Sequence, residues 1–272
     1  MKILVTGSNG MLGQDLCPIL EDEGYELIET DAETFDVTNF ETAKEILTRE
    51  KPDIVIHCAA YTKVDKAEEE QDLAFLINAK GTENIAKICG ENDITLVYIS
   101  TDYVFDGDKK EPYLPEDKPN PINIYGKTKF EGEKAVQKYC KKYYIVRTSW
   151  LYGHHGKNFV ETMISSKDKA ELKVVDDQIG CPTWTVEFSG GIAKLIQRHA
   201  PFGIYHICSG GKTSWYNFAR EIFKQTGLPV NVKPCKTEEF PRPAKRPKYS
   251  VMDNQKLCRN WEAALKDYLD LR

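Results

Sequence analysis

Tyr125 and Lys129 stand four residues apart in the run Tyr125-Gly-Lys-Thr-Lys129. On a helix, that spacing puts both side chains on one face. An ammonium beside a phenol stabilises the phenolate, so Lys129 is expected to lower the pKa of Tyr125. A phenol left near its ordinary value of about 10 is a poor acid–base catalyst at neutral pH. About a hundred residues earlier lies a glycine-rich turn, Thr6-Gly7-Ser8-Asn9-Gly10-Met11-Leu12-Gly13. A dinucleotide site joined to such a tyrosine points to carbonyl reduction or alcohol oxidation. The pair by itself says little, because Tyr-x-x-x-Lys arises by chance in many helices.

The turn reads Gly-x-x-Gly-x-x-Gly, not the Gly-x-Gly-x-x-Gly of the simplest dinucleotide fingerprint. The physics is shared: Gly7, Gly10 and Gly13 allow a tight turn and bring a pyrophosphate close to the N-terminus of the next helix. Asp31 follows Gly13 by 18 residues, at the end of a second apolar run. An acid there suits ribose hydroxyls and repels a 2′-phosphate, which favours NADH. Glu29 and Glu33 flank it, so a solvated strand-end acid is the competing reading. Ala59-Ala60-Tyr61 follows a third apolar run, where small residues would let a dinucleotide pass the backbone; tight helix–strand packing explains them equally well. Ser100-Thr101-Asp102 ends a further run. The hydroxyl of Thr101 is placed to bond a substrate carbonyl or the alkoxide developing from it, unless the triplet only caps a turn.

These residues need a scaffold, and the hydrophobic pattern supplies one. Apolar strands are expected at 2–6, 25–30, 53–58, 94–100 and 144–148, with helices at 11–23, 40–50, 73–92 and 123–139. The run at 53–58 is continuously apolar, as in a parallel strand covered on both faces. Strict alternation of strand and helix predicts an α/β fold, a Rossmann-like doubly wound parallel sheet. Residues 1–150 are read as a dinucleotide-binding domain. Residues 151–272 are read as a smaller, mainly substrate-binding lobe, with segments of 181–207 returning to the first sheet. In that half the pattern gives strands at 172–175 and 204–207 and helices at 188–198, 215–226 and 261–271. Prolines at 229, 234, 241, 243 and 247 mark an irregular stretch. Trp215-Tyr-Asn-Phe218 opens a helix and is read as packing.

Composition narrows the classes. Thirty-seven basic and 42 acidic residues leave a net charge of −5, which argues against a general nucleic-acid binder. No apolar stretch approaches the length of a membrane span, and Met1–Thr6 enters Gly7 too soon for a signal peptide. The eight cysteines are widely spaced with no Cys-x-x-Cys pair, as expected of reduced thiols in a cytoplasmic protein without a zinc site. His154-His155 lacks a third ligand nearby, and no metal site is assigned. Asn78 is read as a structural bridge between helix and strand.

Taken together, several blocks resemble one known group. The glycine-rich turn, Ala59-Ala60-Tyr61-Thr62, Ser100-Thr101-Asp102-Tyr103-Val104-Phe105-Asp106-Gly107 and Tyr125-x-x-x-Lys129 resemble the extended short-chain dehydrogenases/reductases. Thr62-Lys-Val-Asp65-Lys-Ala-Glu68, Arg147-Thr-Ser-Trp150-Leu-Tyr-Gly153, Asp177-Gln-Ile-Gly-Cys-Pro-Thr183 and Arg246-Pro-Lys-Tyr-Ser250 narrow the match to the dTDP-4-dehydrorhamnose reductase family. The resemblance covers nearly the whole chain, in order.

It implies reduction, by NADH or NADPH, of the 4-keto group of a nucleotide-linked 6-deoxyhexose. Tyr125 would give the proton, Lys129 would hold the cofactor ribose, and Thr101 would bond the C4 oxygen. Asp102 would position the sugar and Trp150 would pack against it. Gly10, Met11 and Leu12 would meet the pyrophosphate, and Asp31, Asp36, Val37, Ala59, Ala60 and Tyr61 would line the rest of the cofactor site. Within the basic run Arg242-Pro-Ala-Lys-Arg246, Arg246 would neutralise the substrate's pyrophosphate; a solvated basic face is the competing reading. The expected partner is a small nucleotide sugar, with neither nucleic acid nor membrane, and the expected state is monomer or homodimer. Some family members bind Mg2+ through glutamates, which have no clear match here. Related dehydratases carry Thr-Asp-Glu where this chain has Thr101-Asp102-Tyr103. Epimerases keep Tyr-x-x-x-Lys and stay open, as does a non-catalytic dinucleotide-binding subunit similar to the regulatory subunit of methionine adenosyltransferase.

Overall fold

The computed structural model describes residues 1–272. Its first half alternates as the pattern predicts: β1 (Lys2–Thr6), α1 (Met11–Asp22), β2 (Glu26–Thr30), α2 (Phe40–Glu50), β3 (Ile54–His57), α3 (Gln71–Phe75), α4 (Thr82–Glu91), β4 (Thr95–Thr101), α5 (Ile124–Tyr139) and β5 (Tyr143–Thr148). The helix expected over 73–92 is broken. Between α3 and α4 the backbone widens into a π-helical turn, Leu76–Gly81. Such turns insert a residue into the helical ladder and recur at functional sites.

The second half supplies β6 (Leu151–Tyr152), α6 (Phe159–Ser165), β7 (Glu171–Val175), β8 (Ile179–Gly180), β9 (Thr183–Trp184), α7 (Thr185–Gln197), β10 (Gly203–His206), β11 (Thr213–Ser214), α8 (Trp215–Thr226), β12 (Asn231–Cys235) and α9 (Trp261–Asp270). The six-stranded sheet runs β2-β1-β3-β4-β5-β10, and every pairing in it is parallel. Chain order reverses between β1 and β3. Their carboxyl ends therefore flank the crevice where ligands bind in open sheets of this kind.

Side chains alternate across β4. Val97 and Ile99 face a core shared with Leu16 and Leu20 of α1 and Phe188 and Ile192 of α7. Leu96 and Tyr98 face the opposite core, with Leu47 of α2, Ile85 of α4 and Val136 of α5. Two faces covered by helices explain the uninterrupted apolar runs of β1 and β3. A third core, around Tyr152, Phe218, Trp261 and Leu265, joins α6, α8 and α9. Beside it, β7 and β12 form a parallel pair and β8 and β11 an antiparallel one.

Candidate active site

The carboxyl ends of β1, β3, β4 and β5 open into one cavity of about 840 Å³. It runs from the glycine-rich turn, past Ala59 and Ala60 and the Thr101–Tyr125–Lys129 group, to Trp150 and Trp215. At its head the turn is closed by Gly10 N donating to Gly7 O at 3.1 Å. Gly7 sits at φ +68°, where a side chain would be strained, and a Cβ there would lie 3.0 Å from the Ala59 backbone. A Cβ on Gly13 would come within 2.4 Å of Ser8 O. The cradle is therefore bare backbone in front of the N-terminus of α1, whose Gly10 cap carries no side-chain hydrogen bond. This geometry fits a pyrophosphate, which N-terminal N–H groups and the helix dipole both favour. Ala32, Asp36, Val37 and Thr38 line the same end of the cavity.

Helix α5 carries Tyr125 and Lys129. Asn123 caps it by accepting from Gly126 N at 2.7 Å, and Glu68 Oε1 accepts from Ile124 N at 2.9 Å. Gly126 lets the helix press on the turn after β4, since a Cβ there would stand 2.0 Å from Tyr103 O. This contact sets Tyr125 against that turn, with its ring edge-on to Tyr103 at 5.9 Å. Asn78, in the π-helical turn, accepts from Tyr61 N and donates to Tyr61 O and to Thr128 Oγ1. It ties the end of β3 to α5 and so fixes the distance across the crevice.

Thr101 Oγ1 accepts from Tyr103 N and donates to Asp102 Oδ1, both at 3.1 Å. Asp102 is 2% exposed and its second oxygen, Oδ2, has no partner. Burial raises its carboxyl to about 7, against the hydrogen bonds of Ser250 and Thr101. Burial, with Asp102 beside it, pushes the Tyr125 phenol up, while the Thr101 hydroxyl pulls it down. The sequence-based expectation was the opposite. Lys129 does not depress Tyr125 here, because its ammonium lies 4.2 Å over the Tyr98 ring. Burial lowers Lys129 to about 7, with Glu133 and Cys58 acting in the other direction. The phenol is thus protonated, as an ordinary tyrosine also is at neutral pH, and burial leaves it a weaker acid than that.

Three anticipated residues sit differently. Asp31 turns back on its own loop, accepting from Glu33 N, Thr34 N and Thr34 Oγ1, and does not line the cavity. Tyr61 also stays out of it, with its hydroxyl on Glu70 and its backbone on Asn78. Arg246 makes a two-point ion pair with Asp65, at 2.8 and 3.0 Å, and is not itself part of the lining. Conversely, Ala32, Phe35, Leu73 and Leu76 line the cavity without having been singled out, and Trp215, read as packing, lines it too. Helical periodicity alone explains Leu73 and Leu76, so nothing in the sequence marked them.

A parallel sheet with a glycine cradle at β1 and a Tyr-x-x-x-Lys pair facing it defines a short-chain dehydrogenase/reductase. The chain is similar over its whole length to solved structures of dTDP-4-dehydrorhamnose reductases. That of Clostridium acetobutylicum is 49% identical with a TM-score of 0.97, covering 100% of this chain and 99% of that one. That of Bacillus anthracis, in complex with NADP, is 44% identical with a TM-score of 0.96 and the same coverage. The spore coat polysaccharide biosynthesis protein SpsK of Bacillus subtilis is 41% identical, covering 100% of this chain and 98% of its own. Residues 1–271 match the family model described as the RmlD substrate binding domain, and the chain belongs to that family.

Proposed function

We propose that this chain reduces the 4-keto group of dTDP-4-dehydro-L-rhamnose to give dTDP-L-rhamnose, a nucleotide sugar for polysaccharide synthesis, with NADPH or NADH as reductant. The observation that carries this reading is the single cavity joining the glycine cradle to Thr101, Tyr125 and Lys129. The reduced nicotinamide supplies the hydride to the ketone carbon. Tyr125 donates its proton to the sugar oxygen, and Thr101 bonds the same oxygen as charge develops on it. Lys129 binds the cofactor ribose, and a bound ligand that offers acceptors would draw its ammonium off the Tyr98 face. Asp102 orients the sugar with its free oxygen.

The 2′-phosphate argument against NADPH loses its basis, since the Asp31 carboxylate is spent on its own turn. Arg246 reaches the substrate pyrophosphate by exchanging Asp65 for it. The enzyme works in the cytoplasm on a small nucleotide sugar, as a monomer or homodimer, without nucleic acid. No helix is long and apolar enough to cross a membrane. The test follows nicotinamide absorbance while dTDP-4-dehydro-L-rhamnose is supplied. Substrate-dependent oxidation yielding dTDP-L-rhamnose supports the reading. Tight cofactor binding with no turnover would replace it with a regulatory subunit or another sugar.

A further inference from the structure

Trp150 lies two residues past Thr148, which pairs across the sheet with Thr101. Its backbone adopts φ +49°, in the left-handed region where a tryptophan is strained. Strain of this kind persists only where the surroundings over-determine it. Two contacts do so. The Trp215 ring stacks on the Trp150 indole with centroids 3.5 Å apart and planes 8° from parallel. A Cβ on Gly180 would stand 2.5 Å from Trp150 Cε2, 2.7 Å from Cζ2 and 2.8 Å from Nε1. Because the inner atom Cε2 is the nearest of the three, Gly180 approaches from above the ring plane and not at its edge. A ring stacked at 3.5 Å leaves no room for a second group on the same side, so Gly180 and Trp215 cover opposite faces.

The supports are themselves anchored. Gly180 lies in β8, which pairs with β11 at Thr213, and Trp215 opens α8 directly after β11. The Ser214 hydroxyl caps α8 by accepting from Asn217 N at 3.1 Å and donates to Asp176. Phe159 packs on Trp215 at 4.6 Å. Both indoles reach the cavity wall near the end that holds Thr101 and Tyr125.

We propose that Trp215 and Gly180 are positioning residues: they clamp Trp150 between them, so that a fixed indole edge sets where the sugar of the nucleotide sugar lies against Tyr125. The proposal rests on the reductase reading above. It commits the two residues to ground-state placement of the sugar and leaves cofactor binding at the far end of the cavity untouched. Trp215→Phe keeps an aromatic face on Trp150, and Trp215→Ala removes it. Gly180→Ala leaves Trp215 in place and forces the indole to shift from the other side.

The test compares these three variants with the unaltered enzyme by steady-state kinetics, cofactor titration and far-ultraviolet circular dichroism. Two indoles this close couple excitonically, and where their transition dipoles are not parallel the resulting couplet reports the clamp directly. Trp215→Ala should lose the couplet and raise KM for the nucleotide sugar about five- to tenfold, the scale of one aromatic contact, with cofactor Kd unchanged. Gly180→Ala should alter the couplet and raise the same KM, and Trp215→Phe should restore KM to within about twofold. If Trp215→Ala does not fold, the Gly180→Ala and Trp215→Phe results decide. In Trp215→Ala or Gly180→Ala, a lost or altered couplet with sugar KM unchanged overturns the proposal, and so does an equal loss of cofactor affinity. An inactive unaltered enzyme removes the reductase reading itself, and the clamp's function with it. Activity in that enzyme combined with indifferent variants removes only the clamp.

Discussion

Arg147 and Glu133 form a two-point ion pair, at 2.8 and 2.7 Å, in which both side chains are 1% exposed. Glu133 stands one helical turn past Lys129 on α5, and Arg147 comes from β5. Ser100 at the end of β4 donates to the same carboxylate at 2.6 Å. The pair and Ser100 therefore lock α5 to β5, which leads to Trp150, and to β4, which ends at Thr101.

Breaking one side of this pair should be costly, because a buried charge is left alone. Glu133→Leu is expected to lower unfolding free energy by about 3–5 kcal/mol. Adding Arg147→Met should recover most of that loss. Urea denaturation of the single and double variants checks both points; a single variant within ~1 kcal/mol of the parent would show that the pair contributes little.

Tyr125→Phe removes the proposed proton donor but no apolar surface. Its kcat should fall roughly 10²–10⁴-fold, the usual weight of general acid catalysis. NAD(P)H affinity should hardly change. Lys129→Met should reduce both. Normal turnover in the phenylalanine variant would exclude the assigned role.

Asp102 gives a pH signature whose sign follows from its raised pKa. Its carboxyl titrates near 7 in the fold, against an ordinary 3.8. Between those values the folded chain holds a proton that the unfolded chain has released. Stability from this group therefore falls as pH rises through that window, and the penalty is complete above about 7. Asp102→Asn should be more stable than the parent at mildly alkaline pH and lose that advantage in acid. Unfolding measured across the range settles it; a difference independent of pH would contradict the assignment. His57 acts oppositely at lower pH: burial lowers it to about 3, so stability is lost as pH falls below its ordinary 6.5.

Gly13→Ala places a Cβ against the carbonyl of Ser8, backbone on backbone. The turn must open or α1 must shift. A loss of about 1–3 kcal/mol in stability is expected, together with weaker cofactor binding. Isothermal titration with NADPH measures the second effect, and unchanged affinity would mean that the cradle does not hold the pyrophosphate.

Arg246→Ala should raise KM for the nucleotide sugar well above any change in cofactor Kd. It also strands Asp65, so Asp65→Asn serves as the companion: it frees Arg246 and should leave sugar binding intact or tighter. Kinetics in which both variants behave alike would assign the pair to loop structure alone.

The doubly wound sheet was legible because its central strands β1, β3 and β4 are covered on both faces and announce themselves as apolar runs. The cradle and Tyr125–Lys129 were legible because their spacing is local. What escaped notice depends on distant partners. The π-helical turn keeps a near-helical apolar rhythm, and what holds Asn78 in it is the Tyr61 backbone and Thr128, 17 and 50 residues away. β12 contains Pro234 and has exposed residues, so it reads as irregular until it pairs with β7. α6 spans only seven residues, too few for periodicity to declare itself. The upward shift of Tyr125 was missed because spacing shows which groups are near, while burial decides how far each is desolvated.

The sixth strand, β10, and the helix α7 that seals one face of the sheet both come from beyond residue 180. During synthesis, the first 150 residues emerge with β5 as an unpaired edge and with Leu16, Leu20 and Ile99 lacking Phe188 and Ile192 to cover them. An open edge and a bare apolar face invite pairing with other chains. The nascent chain is therefore most vulnerable to aggregation while the ribosome is still translating the segment that brings back β10. A stalled or truncated product ending near residue 150 should be a substrate for chaperones and not a free-standing nucleotide-binding domain.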